Sequence, residues 1–105
     1  MANKTRKEQI QELLAADPLD PELTYFLAME HKSARESNLA LKCFQDVVAL
    51  APDYVPAYVQ LGQLLTELQR EEEARHVYRS GITAARKKGD THAAEEMAAF
   101  LDNLD

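Results

Sequence analysis

The side chains of this 105-residue chain with the most reactive chemistry are three histidines and one cysteine: His31, His76, His92 and Cys43. A thiol beside an imidazole can make a nucleophile and its base, and His31 and Cys43 fall on consecutive predicted helices. Such a pair needs a third group to orient the imidazole. His31 instead falls at a packing position of its helix, which reads as a partly buried structural histidine. His76 stands among Glu72, Glu73 and Arg75 on a solvated face, and His92 opens the last helix. No two histidines have the spacing of metal ligands. Gly62, Gly81 and Gly89 lie too far apart to form a phosphate-cradling loop. The sequence therefore predicts no enzyme, no cofactor and no metal site.

Composition narrows the partner classes. The chain is 46% hydrophobic and 29% charged, with a formal net charge of −6. This balance predicts one folded domain over 1–105 and counts against a nucleic-acid partner, which calls for a basic face. The basic group Arg86, Lys87 and Lys88 reads as the favourable end of a helix dipole. Cys43 has no second cysteine to bridge. The first residues, Met-Ala-Asn-Lys-Thr-Arg-Lys-Glu, lack an apolar secretory core. No run approaches the roughly 20 apolar residues of a membrane span. The expectation is a cytoplasmic protein with no membrane partner.

The elements that carry these residues are all helical. Thr5 to Ala16 has Ile10, Leu13 and Leu14 on one face, and Thr5 with Glu8 forms a capping-box pattern. Asp20 is an N-cap and Pro21 a first helical residue for a helix running to about Ser33, its turns marked by Leu23, Phe26, Leu27 and His31. Ser37 or Asn38 caps the next, with Ala40, Leu41, Phe44, Val47, Val48 and Leu50 on its apolar face. Residues 55 to 85 form an αα-hairpin. Tyr58, Leu61 and Leu65 line one helix, and Ala74, Val77, Tyr78 and Gly81 line the other. Gly62, Ala74 and Gly81 mark the close approach. Gly89 ends the second helix, and Asp90 or Thr91 starts a last one with Ala94, Met97, Ala98, Leu101 and Leu104 on one face.

The chain also matches itself. A shift of 34 residues places Thr24 on Tyr58, Leu27 on Leu61, Ala28 on Gly62, Ala40 on Ala74, Phe44 on Tyr78 and Val47 on Gly81. It also places Ile10 on Phe44, Leu13 on Val47, Leu14 on Val48 and Pro18 on Pro52. A fixed period of this length signals a solenoid of helical hairpins. Tyr58-x2-Leu61-Gly62 with Ala74-x3-Tyr78, and Leu27-Ala28 with Ala40-x3-Phe44 and Pro52, resemble the tetratricopeptide repeat family. The resemblance implies an all-α, right-handed solenoid of antiparallel hairpins. Its six helices are a half repeat over 5–18, full repeats over 21–54 and 55–88, and a capping helix over 91–104. The last helix fits with two residues inserted, so that Ala94, Met97, Ala98 and Leu101 take the places of Tyr58, Leu61, Gly62 and Leu65. Thr24 stands where the family has a large aromatic, and His31 and Leu65 replace a second one. Arg35 and Gln69 stand where turns favour glycine; a left-handed residue there costs about 1 kcal/mol. Glu95, Glu96, Asp102 and Asn103 at one end, and Lys7, Gln11 and Glu12 at the other, give both ends polar faces. This reads as a complete small protein.

The same resemblance implies a protein-binding role, with a peptide or helix of a partner in a concave groove. The groove residues it implies are Tyr25, Met29 and Lys32, then Val59, Gln63 and Thr66, with Glu95, Ala99 and Asp102 at the capping end. Glu22, Phe26, Gln60 and Glu67 flank them. Tyr25, Met29 and Val59 would form an exposed apolar strip, a feature that marks contacts. The places where some relatives grip a terminal carboxylate hold Tyr25, Met29, Gln60, Glu95 and Ala99, which form no clamp. A ligand with an apolar anchor and a basic residue suits such a groove. The alternative is a self-associating subunit or weak homodimer, with the apolar strip or the first helix as the interface.

Overall fold

Side-chain caps fix where three of the helices begin. In a computed structural model, which describes residues 3–105, the Thr5 hydroxyl accepts from the Glu8 N–H at 3.1 Å, and the Thr5 N–H donates to the Glu8 carboxylate at 3.2 Å. This reciprocal pair satisfies two otherwise orphan donors and starts α1 (Arg6–Ala16). Asp20 accepts from the Leu23 N–H at 3.0 Å ahead of α2 (Pro21–Ser33), with proline at the helix start. Asp90 accepts from the Ala93 N–H at 3.1 Å ahead of α6 (Thr91–Leu104). The start of α3 (Ser37–Leu50) differs from expectation. The Glu36 carbonyl already accepts from the Ala40 N–H at 2.9 Å, so Ser37 and Asn38 lie inside the helix rather than capping it. The remaining helices are α4 (Val55–Glu67) and α5 (Glu71–Lys88).

Three helix ends share one hydrogen-bond pattern. The Glu36 N–H reaches the His31 carbonyl at 2.9 Å, the Arg70 N–H the Leu65 carbonyl at 2.8 Å, and the Asp90 N–H the Ala85 carbonyl at 2.8 Å. Each closure requires a left-handed residue just before it. These are Arg35 at φ 60°, Gln69 at φ 61° and Gly89 at φ 73°. The two non-glycine positions are 34 apart, so the repeat extends to the turns.

The chain divides into two compact units, one ending at Leu50 and the other beginning at Ala51. In the first, α1 packs on α2 and α2 on α3. Ala28, Ala40, Phe44 and Val47 are fully buried there, with Thr24, His31, Ile10 and Leu41 around them. The buried stripe of α2 is thus Thr24, Ala28 and His31, while Leu23, Phe26 and Leu27 are half-buried. Thr24, lacking an aromatic ring, turns its hydroxyl to the Asp20 carbonyl at 2.9 Å. Its counterpart Tyr58 reaches the Pro52 carbonyl at 2.6 Å in the second unit.

The second unit packs α4 on α5, and α6 on both. Gly62 lies against the Tyr78 ring, and Gly81 lies against Met97 and Tyr58; neither leaves room for a Cβ. These are the close approaches expected from the small residues. Ala93, Ala94 and Met97 are buried while His92, Glu95 and Glu96 are exposed, so α6 adopts the register with two inserted residues.

Leu13 departs from expectation. Its counterpart Val47 is fully buried, yet Leu13 is 56% exposed. α1 packs on α2, and this covers Ile10 but leaves the part of its apolar face that carries Leu13 open. The first end of the chain is therefore less polar than its sequence pattern implies.

Candidate binding surface

The expected groove residues are carried by α2, α4 and α6. Tyr25, Met29 and Lys32 lie on α2 in the first unit, and all three are half-buried. The Tyr25 ring meets Phe44 edge-on at 5.8 Å and Phe26 at 6.3 Å, and burial pushes its phenol above the ordinary value. Val59, Gln63 and Thr66 lie on α4 in the second unit, also half-buried. Tyr25 and Met29 in the first unit, and Val59 in the second, are thus each only partly exposed.

Gln63 and Thr66 line an open depression of about 400 Å³ together with Glu67, Tyr78, Phe100, Asn103 and Leu104. The i, i+3 and i+4 spacing of Gln63, Thr66 and Glu67 puts all three on one side of α4. Tyr78 and Phe100 form an aromatic floor with ring centroids 5.7 Å apart. Thr66 donates to the Gly62 carbonyl at 2.8 Å, which fixes its rotamer. Burial raises the Tyr78 phenol above its ordinary value, opposed by a hydrogen bond with Thr66; the group is neutral at physiological pH. One carboxylate, Glu67, stands exposed at the edge. The surface therefore offers aromatic faces, two side-chain amides and a negative charge.

Glu95 does not join this depression. It lines a separate hollow of about 360 Å³ with Arg86, Gly89, Thr91, Ala94 and Ala98. Phe100, conversely, escaped the sequence reading because it lies off the stripe of Ala94, Met97, Ala98 and Leu101. The inserted register pairs it with Leu64, which is 2% exposed, and that pairing was the available signal.

The reactive side chains settle into structural roles. His31 is buried and its Nδ1 lies 2.9 Å from the Glu36 carboxylate, which also accepts from Lys7 at 2.9 Å. His31 and then Lys7 hold the Glu36 carboxyl below its ordinary value. Burial pushes the Cys43 thiol up, assisted by Asp46; a raised pKa leaves little thiolate to act as a nucleophile. His76 and His92 are exposed. Among the described residues no three His, Cys, Asp or Glu side chains are grouped to hold a metal ion.

Comparison with known proteins places this architecture. The tetratricopeptide repeat family model matches residues 55–88, the bounds drawn above for the second full repeat. The solution structure of a tetratricopeptide repeat domain protein from Salinibacter ruber is similar, at 34% identity over 82% of this chain and 87% of that one, with a TM-score of 0.78. The chain belongs to the tetratricopeptide repeat family. Its fold is accordingly that of the helical-hairpin solenoids, and proteins of this family are generally non-enzymatic scaffolds that mediate protein–protein interaction. A Bordetella parapertussis protein shares the fold at 24% identity over 97% of this chain and 89% of that one, with a TM-score of 0.81. The crystal structure of MamA does so at 20% identity over 93% and 64%, with a TM-score of 0.70. No curated protein matches the sequence significantly. Among the described residues no helix is long and apolar enough to cross a membrane.

Proposed function

We propose that this repeat protein is an adaptor without catalytic activity that holds a peptide or helix of another protein against the first helices of its hairpins. Tyr25, Met29 and Lys32 of α2, Val59, Gln63 and Thr66 of α4, and Glu95 of α6 are the residues proposed to take part, within what acts as one binding domain. The proposed setting is the cytoplasm, where a lone thiol such as Cys43 stays reduced. The observation that supports the reading is the depression beside Gln63, Thr66 and Glu67, with Tyr78 and Phe100 beneath. An apolar anchor residue fits the aromatic floor, and a Lys or Arg beside it meets Glu67 and the ring faces. The residues that line this depression include no Lys or Arg to grip a terminal carboxylate.

Selection from a random peptide library on the intact protein tests this. Peptides carrying an apolar residue next to Lys or Arg are expected to be enriched. Glu67→Lys, at an exposed position, should weaken them about five- to tenfold, the scale of one charge and cation–π contact. Peptides bound equally by Glu67→Lys and Gln63→Arg would show that this surface is not the site.

A further inference from the structure

The large apolar side chains that stand exposed among the described residues are Leu13, Leu19, Leu39 and Leu50, all in the first unit. Two of them share one helix face. Leu39 and Leu50 of α3 are 52% and 41% exposed. They lie about three turns apart, so they project from the same side. This side is distinct from the buried stripe of Ala40, Leu41, Phe44 and Val47. Between the leucines it carries Cys43 and Asp46, both half-buried. The spacing Leu39, Cys43, Asp46, Leu50 is that of a heptad seam, four, three and four residues.

The repeat shows that the fold does not require this face to be apolar. The 34-residue shift places Leu39, Cys43, Asp46 and Leu50 on Glu73, Val77, Ser80 and Ala84 of α5. The opposite shift places them on Thr5, Gln9, Glu12 and Ala16. Neither equivalent face has a large apolar residue at its two ends. The leucines of α3 are therefore specific to this helix, and paired exposed apolar residues mark a contact.

We infer that this face of α3 packs on the same face of a second copy of the chain, with the two helices antiparallel about a two-fold axis. The axis passes midway between Leu39 and Leu50. Leu39 of each copy then meets Leu50 of the other, and Cys43 meets Asp46. The face is separate from the α2 residues proposed to hold a peptide, so the contact leaves that role intact.

Charge selects the second copy and its direction. Lys42 donates to Asp46 at 2.6 Å along the exposed surface. In the antiparallel register Lys42 of each copy also comes beside Asp46 of the other, so two cations and two anions alternate around the axis. A parallel pair would instead set Asp46 against Asp46, and like charges facing across an interface are costly. An isologous contact needs a face that complements itself. This one does, with a leucine at each end and opposite charges in the middle. Such a contact closes on itself and stops at a dimer.

Sedimentation velocity over a micromolar to near-millimolar range tests this. The wild type should pass from monomer to dimer with concentration and grow no further. Leu39→Glu and Leu50→Glu should each stay monomeric, with circular dichroism confirming their folds. Leu13→Glu, on α1, should associate as the wild type does. The register is read by Leu39→Cys and Leu50→Cys, each combined with Cys43→Ser. Mixed and treated with a mild thiol oxidant, the two should form a disulfide-linked pair, whereas either alone should stay largely unlinked. A wild type that remains monomeric throughout would overturn the proposal. So would a dimer that both leucine-to-glutamate changes in α3 leave intact, or one that Leu13→Glu abolishes. Efficient linking of Leu39→Cys to itself would overturn the antiparallel arrangement.

Discussion

Gly62 of α4 rests directly on the aromatic ring of Tyr78 of α5, with no space for a Cβ between them. Tyr78 is 2% exposed and also meets Phe100, so its ring cannot swing aside. Gly62→Ala is therefore expected to destabilise the protein although alanine is the better helix former. Overpacking costs about 1–3 kcal/mol and the helix gain returns about 0.5–1 kcal/mol. Urea unfolding should show a net loss of about 1 kcal/mol. Gly62→Ala combined with Tyr78→Leu should lose less than the two single changes added together, since residues in contact couple.

Arg35 and Gln69 hold left-handed backbone that their side chains resist. Both are exposed, and Gln69 with Arg35 closes equivalent turns 34 residues apart. Replacing either by glycine removes about 1–2 kcal/mol of strain and returns about 0.4–1 kcal/mol to the unfolded chain as entropy. Each single change is expected to raise stability by roughly 0.5–1 kcal/mol. The pair should add, as separate turns with no shared partners do. Thermal melts of the four proteins check this; a loss of stability in either single variant would contradict it.

How much of this was legible depended on the range of the chemistry involved. The caps at Thr5, Asp20 and Asp90 and the stop at Gly89 were legible because each is decided within four residues. The turns at Arg35 and Gln69 were legible because the repeat told where they must fall, though neither residue type announces it. The exposure of Leu13 was not legible. Periodicity marks the face of a helix that resembles a buried one, and cannot say whether another helix is there to cover it. The surroundings of Glu95 were not legible for a similar reason: its repeat equivalence to Val59 gives a position along α6, whereas the end of α5 at Arg86 and Gly89 supplies its neighbours.

Glu36 links acid sensitivity to the first unit. Its carboxylate accepts from His31 and from Lys7 of α1, and these partners lower its pKa. A carboxyl whose folded pKa lies below its unfolded value stabilises the fold above the unfolded pKa, and that contribution is lost as pH falls through the folded one. Glu36→Gln should therefore be less stable than wild type at neutral pH, and the gap should narrow on acidification through the carboxylate range. Denaturation at a series of pH values reads this directly; a gap that stays constant to the lowest pH would show that the carboxylate charge is not what matters.

Arg75 ties the end of α6 back to α5. Its guanidinium donates to the Leu104 carbonyl at 2.6 Å and the Asp105 carboxylate at 3.0 Å, and also pairs with Glu72. The Leu104 carbonyl is one of the last carbonyls of its helix, which have no partner within the helix itself. Lysine has one point of charge and cannot span these groups as a planar fork does. Arg75→Lys is thus expected to behave much like Arg75→Ala, with faster amide exchange in the last turn of α6 and little change in the middle of α4. Full protection of that turn in the lysine variant would mean that charge alone, and not the shape of the guanidinium, holds the helix end.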